Sequence, residues 1–166
     1  MDEKSKTPKE KLLLLAAEQG HSFIIFRLLQ RSEVNINFKN DYGQTALSLA
    51  AEHGQTEVIQ QLFTRPDLDV NNQDLDGQTA LGWAVFNDRP SAVAALLANP
   101  LVRVDVPDVE GMTPLSWAIV EQRDAILELL LDRLGMPSDR ITRMTLFLGG
   151  GRRGNTPKLA LETHEV

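Results

Sequence analysis

Three short stretches share one pattern: Gly43-Gln44-Thr45-Ala46-Leu47, Gly77-Gln78-Thr79-Ala80-Leu81 and Gly111-Met112-Thr113-Pro114-Leu115. Their glycines lie 34 residues apart. The register extends on both sides. Ile36-Asn37, Val70-Asn71 and Val104-Asp105 precede the glycines by six to seven positions, and Asn40, Asp74 and Asp108 precede them by three. Ala50, Ala84 and Ala118 follow them by seven. One period further back, Leu12-Leu13-Leu14-Leu15-Ala16-Ala17-Glu18-Gln19-Gly20 falls on Ala46-Leu47-Ser48-Leu49-Ala50-Ala51-Glu52-His53-Gly54, a fourth copy without its leading turn. A fixed period of this length marks stacked units, each of which buries its apolar face only against a neighbour.

Each copy reads as turn, helix, tight turn, helix. Thr45, Thr79 and Thr113 are good N-caps, and Pro114 suits a first helical position, where no N–H partner is lost. Apolar residues then recur at helical spacing, as in Leu47, Leu49, Ala50 and Leu81, Trp83, Ala84. Gly20 and Gly54 suit the left-handed residue that ends a helix. Second helices are predicted near Ser22–Gln30, Thr56–Thr64, Pro90–Ala98 and Asp124–Arg133.

This pattern resembles the ankyrin repeat, whose first helix opens Thr-Pro-Leu-His-x-Ala and whose turn reads Asp-x-x-Gly. The resemblance covers roughly residues 10–136. It implies an all-α solenoid of about four helix-turn-helix repeats with β-turn fingers, in copies near 7–34, 35–68, 69–102 and 103–136. The layout of turns resembles the arrays of large fungal ankyrin proteins. Several positions depart from the family. The period is 34 rather than about 33. Ser48, Gly82 and Ser116 replace the motif histidine, and Ala46 and Ala80 replace the proline. Asp88 and Gln122 stand where the family has glycine between the helices, and a left-handed Gln costs about 1–2 kcal/mol.

The ends need cover. Thr7-Pro8-Lys9-Glu10 has capping-box spacing, and Lys4, Lys6, Lys9 and Lys11 make the entry polar. Phe23 and Phe26 align with Glu57 and Gln60 of the next copy; residues 1–8 folding back over them is the plainer reading, a contact surface the sharper one. At the other end, residues 137–166 form a capping or tail segment with a basic loop. Ile141–Leu148 is apolar enough to cover the helix that holds Leu127, Leu129, Leu130 and Leu131. Either this tail closes the array or the chain continues as part of a longer protein, and the first is favoured.

Composition narrows the chemistry. The 166 residues carry 17 Lys and Arg against 23 Asp and Glu, a net charge of −6, with 42% hydrophobic residues and no cysteine. Disulfides, zinc fingers, iron–sulfur clusters and thiol nucleophiles are therefore out, and an intracellular setting, cytoplasmic or nuclear, is expected. No apolar run reaches the 18 or so residues of a membrane span, and the N-terminus lacks a signal-peptide stretch. An acidic chain with 5% aromatics argues against nucleic acid. Gly149-x-Gly151-x-x-Gly154 matches a dinucleotide fingerprint in letters only, because no βαβ unit surrounds it. His21, His53 and His164 have no metal spacing, Ser48, Ser91 and Ser116 have no nucleophile elbow, and Asp74 with Asp76 reads as a solvated turn. No catalytic, metal or cofactor-binding residue is expected, nor an enzymatic activity. Residues 140–158 hold five cations and no acid, which leaves −11 on the remainder; docking of that tail on its own array is the plainer reading.

In ankyrin proteins the concave surface of fingers and first helices binds partner proteins, and the resemblance implies the same here. The matching finger positions are Tyr42 and Gln44, Asp76 and Gln78, and Glu110 and Met112. The matching positions late in the first helices are Glu52 and His53, Phe86 and Asn87, and Val120 and Glu121. Phe86, Met112 and Val120 are expected to form an apolar centre rimmed by Asp76, Asn87, Glu110 and Glu121. Trp83 and Trp117 align with Leu49 and are expected in the core between repeats. The expected function is recognition of another protein by a monomeric, non-enzymatic scaffold, with a basic or apolar-basic partner suiting the acidic face. The alternatives are the sensor end of a larger regulatory chain, or an array that binds a small molecule or assists an enzyme.

Overall fold

The computed structural model describes residues 7–136. Within them lie four helix pairs: α1 (Thr7–Gln19) with α2 (Ser22–Leu29), α3 (Ala46–Glu52) with α4 (Thr56–Leu62), α5 (Ala80–Phe86) with α6 (Pro90–Leu97), and α7 (Pro114–Val120) with α8 (Asp124–Arg133). The first helices α1, α3, α5 and α7 stack in order as one layer, and α2, α4, α6 and α8 as a second. The expected tail 137–166 lies outside the described residues, as do residues 1–6 of the segment 1–8 expected to fold back; Thr7 and Pro8 open α1. Phe23 and Phe26 are exposed.

Helices of seven residues do not stand alone in water, so packing must hold them. It does so by equivalent positions. Leu47 and Leu81, and Ala16, Ala50, Ala84 and Ala118, are fully buried between neighbouring first helices. Ile59, Leu62, Val93, Leu96, Ile126 and Leu130 fill the seam to the second layer. Alanine at the first-helix contact lets the helices approach closely, and the second-layer aliphatics fill the remaining volume.

The starts of α3, α5 and α7 are fixed locally. Thr45, Thr79 and Thr113 have extended backbone, and their hydroxyls accept from Ser48 N, Gly82 N and Ser116 N. The serines that replace the family's histidine contribute here: Ser48 Oγ accepts from Thr45 N at 2.9 Å and completes a capping box. Gly82 has another purpose. A Cβ there would collide with Gln78 Oε1, so its absence makes room for Gln78 to reach the next copy. Pro90 and Pro114 open α6 and α7 as expected. The capping box expected from Thr7 and Glu10 involves the Thr7 side chain, which the structure does not describe; Glu10 is buried, with Oε1 at 3.5 Å from Asn35 N.

Between the paired helices the chain turns through a left-handed residue. Gly20 and Gly54 have φ of 73° and 72°, while Asp88 and Gln122 both have φ of 54°. Aspartate tolerates this region better than glutamine. Asp88 also accepts from Arg123 Nη1 at 3.2 Å, and Gln122 is exposed.

Copies are sewn together by recurring polar bonds. Asn37 donates to Asp67 O at 2.7 Å and accepts from Asp69 N at 2.8 Å; Asn71 does the same with Leu101 O and Arg103 N, both at 2.8 Å. An amide side chain can both donate and accept, so one asparagine bridges two strands of backbone. Arg65 forks onto Asp67 at 2.8 and 2.7 Å, which holds the Asp67 carboxyl below the ordinary carboxylate range. The fingers touch directly: Leu75 N donates to Tyr42 O at 3.0 Å, and Val109 N to Asp76 O at 3.1 Å. Gly77, with φ of 72°, sits where an added Cβ would lie 2.8 Å from Val109 N, so both its conformation and its neighbour demand glycine.

Candidate functional site

The finger turns orient everything on the face beside them. In each finger one side-chain oxygen gathers two backbone N–H groups. Asn40 Oδ1 accepts from Tyr42 N and Gln44 N, Asp74 Oδ1 from Asp76 N and Gln78 N, and Asp108 Oδ1 from Glu110 N and Met112 N, at 2.9 to 3.1 Å. This is the Asx turn that the Asn/Asp-x-x-Gly spacing encodes.

The second side-chain atom separates the copies. Asn40 donates through Nδ2 to Gln44 Oε1 at 3.0 Å. Asp74 Oδ2 instead accepts the indole N–H of Trp83 at 2.6 Å, and Asp108 Oδ2 accepts that of Trp117 at 2.8 Å. Gln78 Nε2 of the preceding finger adds a bond to Asp108 Oδ2 at 2.9 Å. The two tryptophans are therefore half-buried and bonded to the fingers; Trp117 still packs against the core, as the alignment with Leu49 suggested, whereas Trp83 is not part of that packing. An indole is larger than the slot that Leu49 fills, and its N–H needs a partner when buried. The finger carboxylates supply one.

Phe86 lies between the indoles. Its ring centroid is 6.1 Å from that of Trp83 and 5.2 Å from that of Trp117, with both pairs of ring planes at 89°. It remains 42% exposed, and Val120, the same position one copy on, is 47% exposed. Tyr42 is exposed at its fingertip, as are Asp76 and Glu110 at theirs, and Glu121 at the end of α7. Asn87 is half-buried and caps α5 by donating to Trp83 O at 3.1 Å. In the second copy Glu52 receives Gln44 Nε2 at 3.0 Å, and His53 is exposed with Nδ1 at 3.0 Å from Leu49 O.

Two expected surface residues are buried instead. Met112 is 7% exposed and Gln78 9%. The position after the finger glycine turns inward beneath the finger, where Gln78 meets Asp108 and Met112 packs. Met112 is therefore not part of the exposed surface. The sequence reading missed Trp83, Trp117, Asp74 and Asp108. The signal was present: aspartate stands nine residues before each tryptophan, whereas Asn40 stands nine before Leu49.

Both sides are acidic, the finger side more so. The finger and first-helix segments 39–53, 73–87 and 107–121 hold seven Asp and Glu against one cation, Lys39. The remaining parts of these copies, 54–72, 88–106 and 122–136, hold eight Asp and Glu against five arginines. All five bond to nearby groups: Arg65 and Arg103 to Asp67 and Asp105, Arg123 to Asp88, and Arg89 and Arg133 to the carbonyls of Glu52 and Pro100. An open groove of about 420 Å³, lined by Gln60, Phe63, Ala95, Ala98, Asn99 and Pro100, lies between α4 and α6 in the other layer and has no charged lining residue.

The family profile described as ankyrin repeats (3 copies) matches the chain twice, over residues 2–74 and 64–140. No curated protein matches it. Among the described residues no helix is long and apolar enough to cross a membrane.

Proposed function

The chain belongs to the ankyrin-repeat family, and from that premise we propose that it recognises a partner protein through the face between its fingers and its first helices. Ankyrin repeats are in general protein–protein interaction modules and typically non-enzymatic scaffolds. The observation that carries the reading is Phe86: a large ring, 42% exposed, held by two indoles, in finger and first-helix segments that hold seven acids and one cation. A rigid aromatic anchor with a polar rim is what binding centres are made of. Phe86 and Val120 form the centre, Asp76, Asn87, Glu110 and Glu121 the rim, and Tyr42, Gln44, Glu52 and His53 the flank. Gln78 and Met112 are buried and not part of that surface. The partner is a protein with a basic or apolar-basic surface. Residues 7–136 act as the recognition array and 137–166 as its tail, in a monomer that works inside the cell.

A photoreactive residue placed at Glu110 tests this, with Ser91 on α6 as the control position. The same protein should cross-link at Glu110 and not at Ser91, and Phe86→Asp should abolish it. Phe86→Asp gives up two edge contacts, worth about 1–2 kcal/mol together, so the array should stay folded and melt only a few degrees lower. Cross-linking that survives Phe86→Asp, or occurs equally at Ser91, refutes the reading. Collapse of the variant would show that Phe86 is a packing element.

A further inference from the structure

We propose that the Trp83–Phe86–Trp117 cluster seats an arginine side chain of a basic segment in the partner; this rests on the recognition reading above and names the chemistry it recognises. Three observations converge on a guanidinium.

The first is what the rings have left to offer. Both indole N–H groups are already donated to Asp74 and Asp108. The tryptophans therefore have no hydrogen-bond donor for a partner, only π surface. The rings meet at right angles, so they do not stack their faces on one another as a parallel trio would. A carboxylate that accepts an indole N–H also pushes electron density into the ring, which strengthens the negative face that attracts cations.

The second is charge. Asp76 and Glu110 are exposed on adjacent fingers that Val109 N and Asp76 O tie together at 3.1 Å, and Glu121 is exposed at the end of α7. The finger and first-helix segments carry seven acids and one lysine, whereas the remaining parts of the same copies balance eight acids with five arginines, each bonded to a nearby group. An apolar plug alone would dehydrate part of this rim and return nothing to it. A cation at the rings gains from both the π surface and the field of the rim.

The third is shape. A flat, weakly hydrated guanidinium can lie on a ring and still direct its fork at a carboxylate, which a compact ammonium cannot do at once. Phe86 exposes its ring in a set of finger and first-helix segments where acids outnumber cations seven to one, and so suits arginine better than lysine.

The two tryptophans of the chain are Trp83 and Trp117, so tryptophan emission, excited selectively over Tyr42, reports on this cluster. The full chain is titrated with a capped hexapeptide of alternating leucine and arginine, then with the same peptide carrying citrulline, which keeps the shape and loses the charge. Saturable emission change is expected with arginine. It should weaken about tenfold with citrulline, and by less than that with lysine. Phe86→Leu and, separately, the exposed pair Asp76→Asn with Glu110→Gln should each weaken it several-fold, with thermal melts confirming that both fold. Equal binding of the citrulline peptide, with unchanged dependence on Phe86, overturns the arginine seat but leaves recognition by this face standing. No saturable change with the arginine peptide up to millimolar concentration also overturns the seat. The cross-linking experiment decides the broader reading independently.

Discussion

Asp108→Asn isolates the carboxylate that joins a finger to the aromatic cluster. Asp108 Oδ1 holds Glu110 N and Met112 N at 2.9 Å, and asparagine can keep both, as Asn40 does in its own finger. The change falls on Oδ2. There Trp117 Nε1 donates at 2.8 Å and Gln78 Nε2 at 2.9 Å, and an amide NH2 in that place sets donor against donor. A hydrogen bond to a charged acceptor contributes about 1.5–3 kcal/mol, and the site is half-buried, so partial hydration softens the loss. The expected cost is about 2 kcal/mol. Trp117→Phe removes the same donor and should cost about 1–2 kcal/mol. If the bond is what Asp108 and Trp117 share, the double variant should cost about 1 kcal/mol less than the two singles added. Urea unfolding followed by circular dichroism measures all four proteins. Strict additivity, or an Asp108→Asn variant within about 0.3 kcal/mol of the parent, would refute the argument that the carboxylate positions the indole.

Gln122→Gly should raise stability by about 0.5–1 kcal/mol and melting by a few degrees in a thermal scan. Relief of a left-handed residue at φ of 54° outweighs the added freedom of the unfolded chain. Gly77→Ala should cost at least about 1 kcal/mol more than Gly111→Ala by denaturant titration. Both have positive φ, but only Gly77 would press a Cβ within 2.8 Å of the next finger's backbone, whereas Gly111 has open space. Asp67 sets a pH dependence. Its folded pKa is lowered by the Arg65 hydrogen bonds, so its contribution is present above the ordinary carboxylate pKa and is lost as pH falls through the lowered value. Asp67 is 55% exposed although Arg65 is only 14% exposed, so solvent screening at the carboxylate limits that contribution to about 1 kcal/mol or less. Asp67→Asn should correspondingly flatten the acid limb of a stability–pH curve between about pH 4 and the lowered value.

The fold was legible because its punctuation is local chemistry. A threonine that caps, a glycine at positive φ and an aspartate that gathers two turn amides each act within a few residues, and their 34-residue recurrence gave the stacking. The site was half legible. Register placed Phe86, Val120 and the acidic fingertips at positions that the structure leaves exposed. It failed at Gln78, because the direction of that side chain is set by the next finger, 30 residues away, and at Met112, which is buried at the equivalent position. It failed in part at the tryptophans, where alignment with Leu49 transferred a full burial that the larger ring does not adopt. Reading the finger residue together with the helix residue nine positions later would have corrected this, since a buried indole needs an acceptor and only the aspartate copies provide a free oxygen.

Phe86 belongs to the third copy, yet its ring lies closer to Trp117 of the fourth than to Trp83 of its own. The equivalent residue of the second copy is Glu52, which stays within its copy by bonding Gln44. In a quasi-one-dimensional chain, stability is the sum of unit terms and nearest-neighbour couplings, and these couplings are unequal. The third and fourth units are clamped by aromatic edges and by the Gln78–Asp108 bond, so they should open together, and amides of α5 and α7 should exchange with solvent as one cooperative block. Any ligand that grips the indoles would tighten that block before it touched the rest of the array.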